Sequence, residues 1–183
     1  MLTVLLGMEN PLEPRVVQGL KDGSALALNG SSYVLVEFPY VELPLYWEDV
    51  LFQLQLQGRR PIIAHPERQA QIQKRPELLA GPVARGVLTQ ITAGSLTARF
   101  GSRVRKAAET LLAAGLVHVI ASDAHAAEGP RAPELLEGFA AAAHLVGLEK
   151  ATEMMSLLPR SIVLGEPAPA QAPESGAPAT RPA

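Results

Sequence analysis

The 183 residues, 48% of them hydrophobic, are enough to bury one sizeable core. A formal net charge of −2 gives no basic footprint, which excludes nucleic acid as the main partner, and no apolar run reaches the ~18–20 residues that span a bilayer. There is no cysteine, so disulfides, thiolate zinc sites and cysteine nucleophiles are excluded together.

The apolar run at the start lacks a basic flank, so Leu2–Leu6 predicts a first strand rather than a signal peptide, followed by Gly7-Met8-Glu9. A cytoplasmic protein is therefore expected. Tyr33–Phe38 predicts a second strand carrying Glu37 near its end, and Trp47–Gln57 a helix stopped by Gly58. Pro61–Ala64 is a short buried strand that runs into His65-Pro66-Glu67-Arg68, and Leu88–Thr92 one that runs into Ala93-Gly94-Ser95. Ser102–Ala114 starts after Gly101, repeats apolar side chains at Val104, Ala108, Leu111 and Leu112, and stops at Gly115, as a helix does. Val117–Ala121 predicts a strand running into Ser122-Asp123-Ala124-His125; Pro133–Val146 and Leu148–Leu157 predict helices, and Ser161–Leu164 a last strand. Residues 166–183 are Pro, Ala and polar without apolar periodicity, which predicts a disordered tail after one domain over residues 1–165. Short Val/Ile/Leu-rich strands alternating with helices imply parallel βα units, hence an α/β barrel or an open sheet.

Polar groups stand where these strands run out. Glu9, Glu37, His65, Asp123 and His125 bring three carboxylates and two imidazoles to strand ends, which share one face and one cavity in a βα barrel. Asp123 and His125 point the same way if the segment is extended, because side chains alternate with period two. Taken singly, each has a structural reading: a hydrogen-bonded strand-end histidine, or the first solvated acid after an apolar run. Together they form a mixed oxygen and nitrogen set that suits Mn, Fe, Mg or Zn. Two such ions ~3.5–4 Å apart would activate a water as nucleophile. Arg68 would offer a planar, permanently charged fork to phosphate oxygens, or pair with an acid such as Glu67. His118 and His144 read as structural. Ser95 lacks the G-x-S-x-G elbow of a serine hydrolase; Gly94-Ser95 reads as the start of a loop near an anion.

Tyr33-Val34-Leu35-Val36-Glu37-Phe38-Pro39, Pro61-Ile62-Ile63-Ala64-His65-Pro66-Glu67-Arg68, Thr92-Ala93-Gly94-Ser95-Leu96 and Ser122-Asp123-Ala124-His125 stand in order. They resemble the bacterial protein-tyrosine phosphatases of the polymerase-and-histidinol-phosphatase (PHP) superfamily, the manganese-dependent enzymes of capsule and exopolysaccharide biosynthesis. The similarity runs from about Leu5 to Gly165. It implies a distorted TIM-like (PHP-type) barrel, a site for two or three Mn2+ ions, and a protein substrate, phosphotyrosine on the tail of a bacterial tyrosine kinase. By position, Glu9 matches a bridging glutamate, Glu37 and His65 match second-metal ligands, and Asp123 and His125 match a paired ligand motif. Arg68 matches a phosphate-binding arginine, and Arg131 a further one at shifted spacing. The family's opening His-x-His strand, acidic pair and further histidine have no counterpart before Glu9. The barrel is therefore expected to be incomplete, lacking the N-terminal strands, through a misplaced start, a fragment or a genuine remnant. Two further readings accompany this one: a PHP-type phosphatase of a small phosphomonoester such as histidinol phosphate, and a non-catalytic remnant that binds a partner. An oligomer is compatible with any of them.

Overall fold

The computed structural model describes residues 3–129 and 131–167. Its five strands are β1 (Glu9–Pro11), β2 (Tyr33–Glu37), β3 (Arg60–Ala64), β4 (Leu88–Thr92) and β5 (Val119–Ala121). They lie side by side in chain order, each neighbouring pair parallel. Parallel neighbours require crossovers, and helices supply them. In order these are α1 (Arg15–Asp22), α2 (Trp47–Leu56), α3 (Ala70–Lys74), α4 (Ala80–Ala84), α5 (Ala93–Leu96), α6 (Ser102–Ala113), α7 (Leu136–Val146), α8 (Leu148–Thr152) and α9 (Leu158–Leu164). Sequential order is the wiring of a βα-barrel wall. Here the wall is an arc; among the described residues β1 and β5 pair only with β2 and β4. Among those residues no helix is long and apolar enough to cross a membrane.

The sheet is buried on both faces, which is why its strands read as nearly unbroken apolar runs. Val34, Val36, Ile63, Ile91 and Ile120 pack outward on the helices, against Leu51, Leu54, Ile72 and Leu111. Tyr33, Ile62, Leu88 and Val119 point the other way and are covered by Leu158 and Ile162 of α9. Ser161–Leu164 is thus helical, not the strand its Ile-Val-Leu run predicts. Leu158 and Ile162, four apart, must both face the sheet, and only a helix puts them on one side. Residues 3–8 carry no strand, with Val4 and Leu6 exposed at 87% and 72%; Leu2 lies outside the described residues. The first strand begins at Glu9 instead. Asn10 fixes it there: its buried side-chain amide donates to the carbonyls of Met8, Leu26 and Leu35, each at 3.0 Å. Residues 168–183 of the predicted tail lie outside the described residues.

His118, just before β5, is 5% exposed. Its Nδ1 accepts the backbone N–H of Thr89 at 3.1 Å, so the ring is neutral with its proton on Nε2. Burial pushes its pKa down to about 4, with Lys150 adding repulsion. A histidine depressed on folding contributes stability above its unfolded pKa of ~6.5, lost as pH falls toward the folded value. Stability is expected to drop by about 3 kcal/mol between roughly pH 6.5 and 4 on this account. His118→Asn, which keeps an acceptor for Thr89, should remove that component. Urea unfolding at stepped pH checks it; parallel curves for the two proteins would refute the assignment.

Candidate active site and metal centre

The register of β2 on β3 sets Glu37 opposite Ala64, so Glu37 and His65 emerge together at the strand ends. Glu9 arrives differently. It opens β1 rather than following a strand, opposite Leu35, and reaches the site from the same sheet face one pleat lower. His65 Nε2 lies 2.9 Å from Glu9 Oε1 and 3.5 Å from Glu37 Oε1. Burial opposes charge on His65, but the hydrogen bond to Glu9 and the nearby carboxylates win and hold its pKa above the ordinary value. The same hydrogen bond, against partial burial, holds Glu9 below the usual carboxylate range. A cation bound by these groups must displace that proton.

Two site residues hold left-handed backbone conformations, His65 at φ 30° and Asp123 at φ 52°. For a residue with a Cβ this costs roughly 1–2 kcal/mol, and such strain concentrates at functional sites. At His65 it turns the chain out of β3 into a 3-10 turn over Pro66–Arg68, while its N–H still donates to the Gln90 carbonyl at 2.6 Å. At Asp123 it breaks the extended alternation. Asp123 therefore turns inward with its side chain 8% exposed, while the side chain of His125 is 55% exposed and faces Arg131, whose Nη2 lies 2.6 Å from Nδ1. The two side chains nonetheless stay neighbours, with His125 Nδ1 3.7 Å from Asp123 Oδ1, and His125 is near enough to Glu9 to act on its charge.

One ligand atom each from Glu9, His65 and Asp123 lies within 4.8 Å of the others, with Glu37 alongside His65. Carboxylate, imidazole and carboxylate, without sulfur, is a donor set that fits a hard or borderline divalent cation. Beside it stands a cationic half. Arg68 Nη2 donates to Asp123 Oδ2 at 2.8 Å and to Thr92 Oγ1 at 2.8 Å, and its guanidinium lies 4.0 Å over the Phe100 ring. Arg131 Nη2 donates to the same Asp123 oxygen at 3.0 Å. The Nε atoms of both arginines are buried without a hydrogen-bond partner among the described residues. Two buried donors lacking acceptors, on two cations beside a metal-type donor set, fit an oxyanion.

Several contributors escape the strand-end reading. Tyr40 stacks on His65 with ring centroids 5.9 Å apart and 14° between planes. Burial and neighbouring Glu37 push its hydroxyl pKa up, so it stays a neutral donor. Glu67 is fully buried; its Oε1 accepts Ser95 Oγ at 2.6 Å and the Thr92 N–H at 3.0 Å. Burial pushes its pKa up despite those bonds. Ser95 is therefore a buried donor inside α5, neither a nucleophile nor a loop residue. No local signal marks this pair, since Glu67 and Ser95 are brought together by tertiary packing across 28 residues. Through Glu67 the turn bearing Arg68 is tied to the end of β4. Glu67→Ala is expected to cost about 2–4 kcal/mol, by leaving buried donors unpaired. Chemical denaturation checks it, and a loss below 1 kcal/mol, the worth of about one hydrogen bond, would refute it.

A family model described as capsular polysaccharide synthesis, CpsB/CapC, matches residues 1–164. The tyrosine-protein phosphatase YwqE of Bacillus subtilis is 43% identical over 124 residues, which is 68% of this chain and 49% of that protein. The tyrosine-protein phosphatase CpsB of Streptococcus pneumoniae is 27% identical over 170 residues, 90% of this chain and 70% of that protein. A solved chain from the crystal structures of YwqE and CpsB, described as unique metal-dependent tyrosine phosphatases, superposes with a TM-score of 0.85 at 34% identity. That match covers 91% of this chain and 66% of the solved one. The chain thus spans about half the length of YwqE, 49%. It belongs to the CpsB/CapC family of capsular polysaccharide synthesis.

Proposed function

We propose that this chain is the seat of a metal-dependent phosphatase acting on phosphotyrosine in proteins, the tail of a tyrosine kinase of capsule or exopolysaccharide synthesis among them. One observation carries the reading: the donor group of Glu9, His65 and Asp123 shares Asp123 with two arginines whose buried Nε atoms lack acceptors among the described residues. The relatives' names as tyrosine-protein phosphatases support it. Glu9, His65 and Asp123 would hold a divalent cation, Mn2+ first, with Glu37 and His125 as further donors. Such a cation supplies Lewis-acid charge and lowers the pKa of water toward neutrality. The rest falls to the chain's own groups. Arg68, held flat between Phe100 and Thr92, presents its fork to phosphoryl oxygens, and Arg131 closes from the other side of Asp123. Tyr40 walls the cleft over His65, with its neutral hydroxyl hydrogen-bonded to Glu37. Water adds to phosphorus, the phosphorus–phenol oxygen bond breaks, and the phenol leaves as tyrosine with a proton from water. The same reading gives the chain a cytoplasmic address.

The test is phosphate release by the full chain from a phosphotyrosine peptide, with Mn2+ and with chelator, beside histidinol phosphate. Chelator-sensitive release that favours the peptide is expected. No release with Mn2+ refutes catalysis by this chain, and faster turnover of histidinol phosphate refutes the substrate.

A further inference from the structure

A second cavity, about 610 Å³, opens at the opposite end of the sheet. Its floor is the start of the strands: Tyr33 begins β2, Arg60 begins β3, Leu88 begins β4, and His118 immediately precedes β5. The metal-type donors stand at the other ends of these strands. The volume falls in the range of small-molecule sites, ~300–1,000 Å³.

Its chemistry is one-sided. Arg59, Arg60 and Lys150 line it against a single acid, Glu153, which pairs with Lys150 at 2.9 Å. Arg60 Nη1 donates to the Tyr33 hydroxyl at 3.1 Å, and that hydroxyl donates to the Glu166 carbonyl at 2.9 Å. The Arg60 guanidinium also lies 5.5 Å from the Tyr33 ring centroid, so this cation, though exposed, is held in place by two contacts with Tyr33. His118 supplies an independent pointer. Its side chain is 5% exposed, Nδ1 is committed to the Thr89 N–H, and Nε2 has no hydrogen-bond partner among the described residues. The Nε2–H of this cavity-lining ring is therefore a fixed donor with no acceptor among the described residues. Val83, Leu88 and Leu158 make the remaining wall apolar.

We propose that this cavity is a binding site for a small organic anion, its phosphate or carboxylate received by His118 Nε2, Arg60 and Lys150 and its apolar body by Val83, Leu88 and Leu158. Arg59, Arg60 and Lys150 can only donate, and His118 turns its Nε2–H, not its occupied Nδ1, to the cavity, so an acceptor-rich ligand is selected. The apolar wall selects against bare inorganic ions. The site is separate from the metal centre and stands whether or not the phosphatase reading holds.

The experiment uses the full chain labelled with ¹⁵N-histidine and phenyl phosphate as probe, with inorganic phosphate as the second arm. The His118 ring resonance, identified by its loss in His118→Asn, is expected to move saturably with phenyl phosphate. Arg60→Gln with Lys150→Gln should weaken that response at least about tenfold, the worth of one charge-assisted hydrogen bond. Arg68→Gln, at the other end of the sheet, should leave it unchanged. Should the double variant fail to fold, Lys150→Gln alone replaces it. A His118 resonance unmoved at millimolar probe, or a response that survives loss of the cations, overturns the proposal. Equal response to inorganic phosphate overturns the organic part of it.

Discussion

Arg68→Ala is expected to lower kcat/KM for a phosphotyrosine peptide by about a thousandfold, and Arg68→Lys to recover less than a tenth of the loss, on the scale of removing a buried oxyanion donor. The side chains of Arg68 and Asp123 are each 8% exposed, so their 2.8 Å ion pair lies out of water. The guanidinium is fixed on three sides, by Asp123, Thr92 and Phe100, and its buried Nε is left for an incoming acceptor. A lysine brings the charge but not the fork, and it cannot stack on Phe100 while reaching Thr92. The loss should be divided between KM and kcat, because the same oxygens are gripped in the ground state and more tightly as charge builds. A purely structural role predicts something else: a fall in denaturation midpoint with activity restored by lysine. Activity of Arg68→Ala within threefold of the parent would remove Arg68 from the phosphate site.

Sequence and structure agree most closely where an apolar strand ends abruptly. Glu37 and His65 were legible because Tyr33–Glu37 and Arg60–Ala64 are buried on both faces and release their first polar side chains at one level of the sheet. Asp123 was legible as a residue but not in its direction, since no strand pattern announces a left-handed aspartate at φ 52°. That single dihedral takes Asp123 out of the extended alternation, while His125 Nδ1 stays 3.7 Å from Asp123 Oδ1. Glu9 was legible through its place in a motif, while its strand was put several residues too early. Three residues ending in proline give no periodicity, and the side chain of Asn10 that pins them pairs with carbonyls distant in sequence. The helix α1 escaped because only Val16 and Gly19 of its eight residues are buried. Tyr40, Phe100 and Glu67 could not be read at all: each acts through a partner set by tertiary packing, respectively His65, Arg68 and Ser95.

The donors make a graded prediction. In Mn2+ titrations of the full chain, His65→Ala and Glu9→Gln should each weaken the first binding step at least about a hundredfold, more than the 10–100-fold of an outer partner. His125→Ala should weaken it less than tenfold, below that outer-partner range. His65 is buried with Nε2 already aimed at Glu9 and Glu37, so its donor atom costs no further ordering. His125 starts more than half exposed and turned toward Arg131. To bind the same ion its Nδ1 would have to give up Arg131. Glu37→Gln should fall between, because its Oε1 is 3.5 Å from the imidazole rather than 2.9 Å. Asp123→Asn differs in kind. It would leave two arginines facing a neutral amide, so stability should fall along with metal affinity. Added Mn2+ offers an independent readout, since an ion at a hundred times its dissociation constant stabilises the fold by about 2.7 kcal/mol. That increment should vanish in His65→Ala and persist in His125→Ala. If His125→Ala abolishes it as fully as His65→Ala does, His125 gives up Arg131 to bind the ion, and the three-donor group is not the primary site.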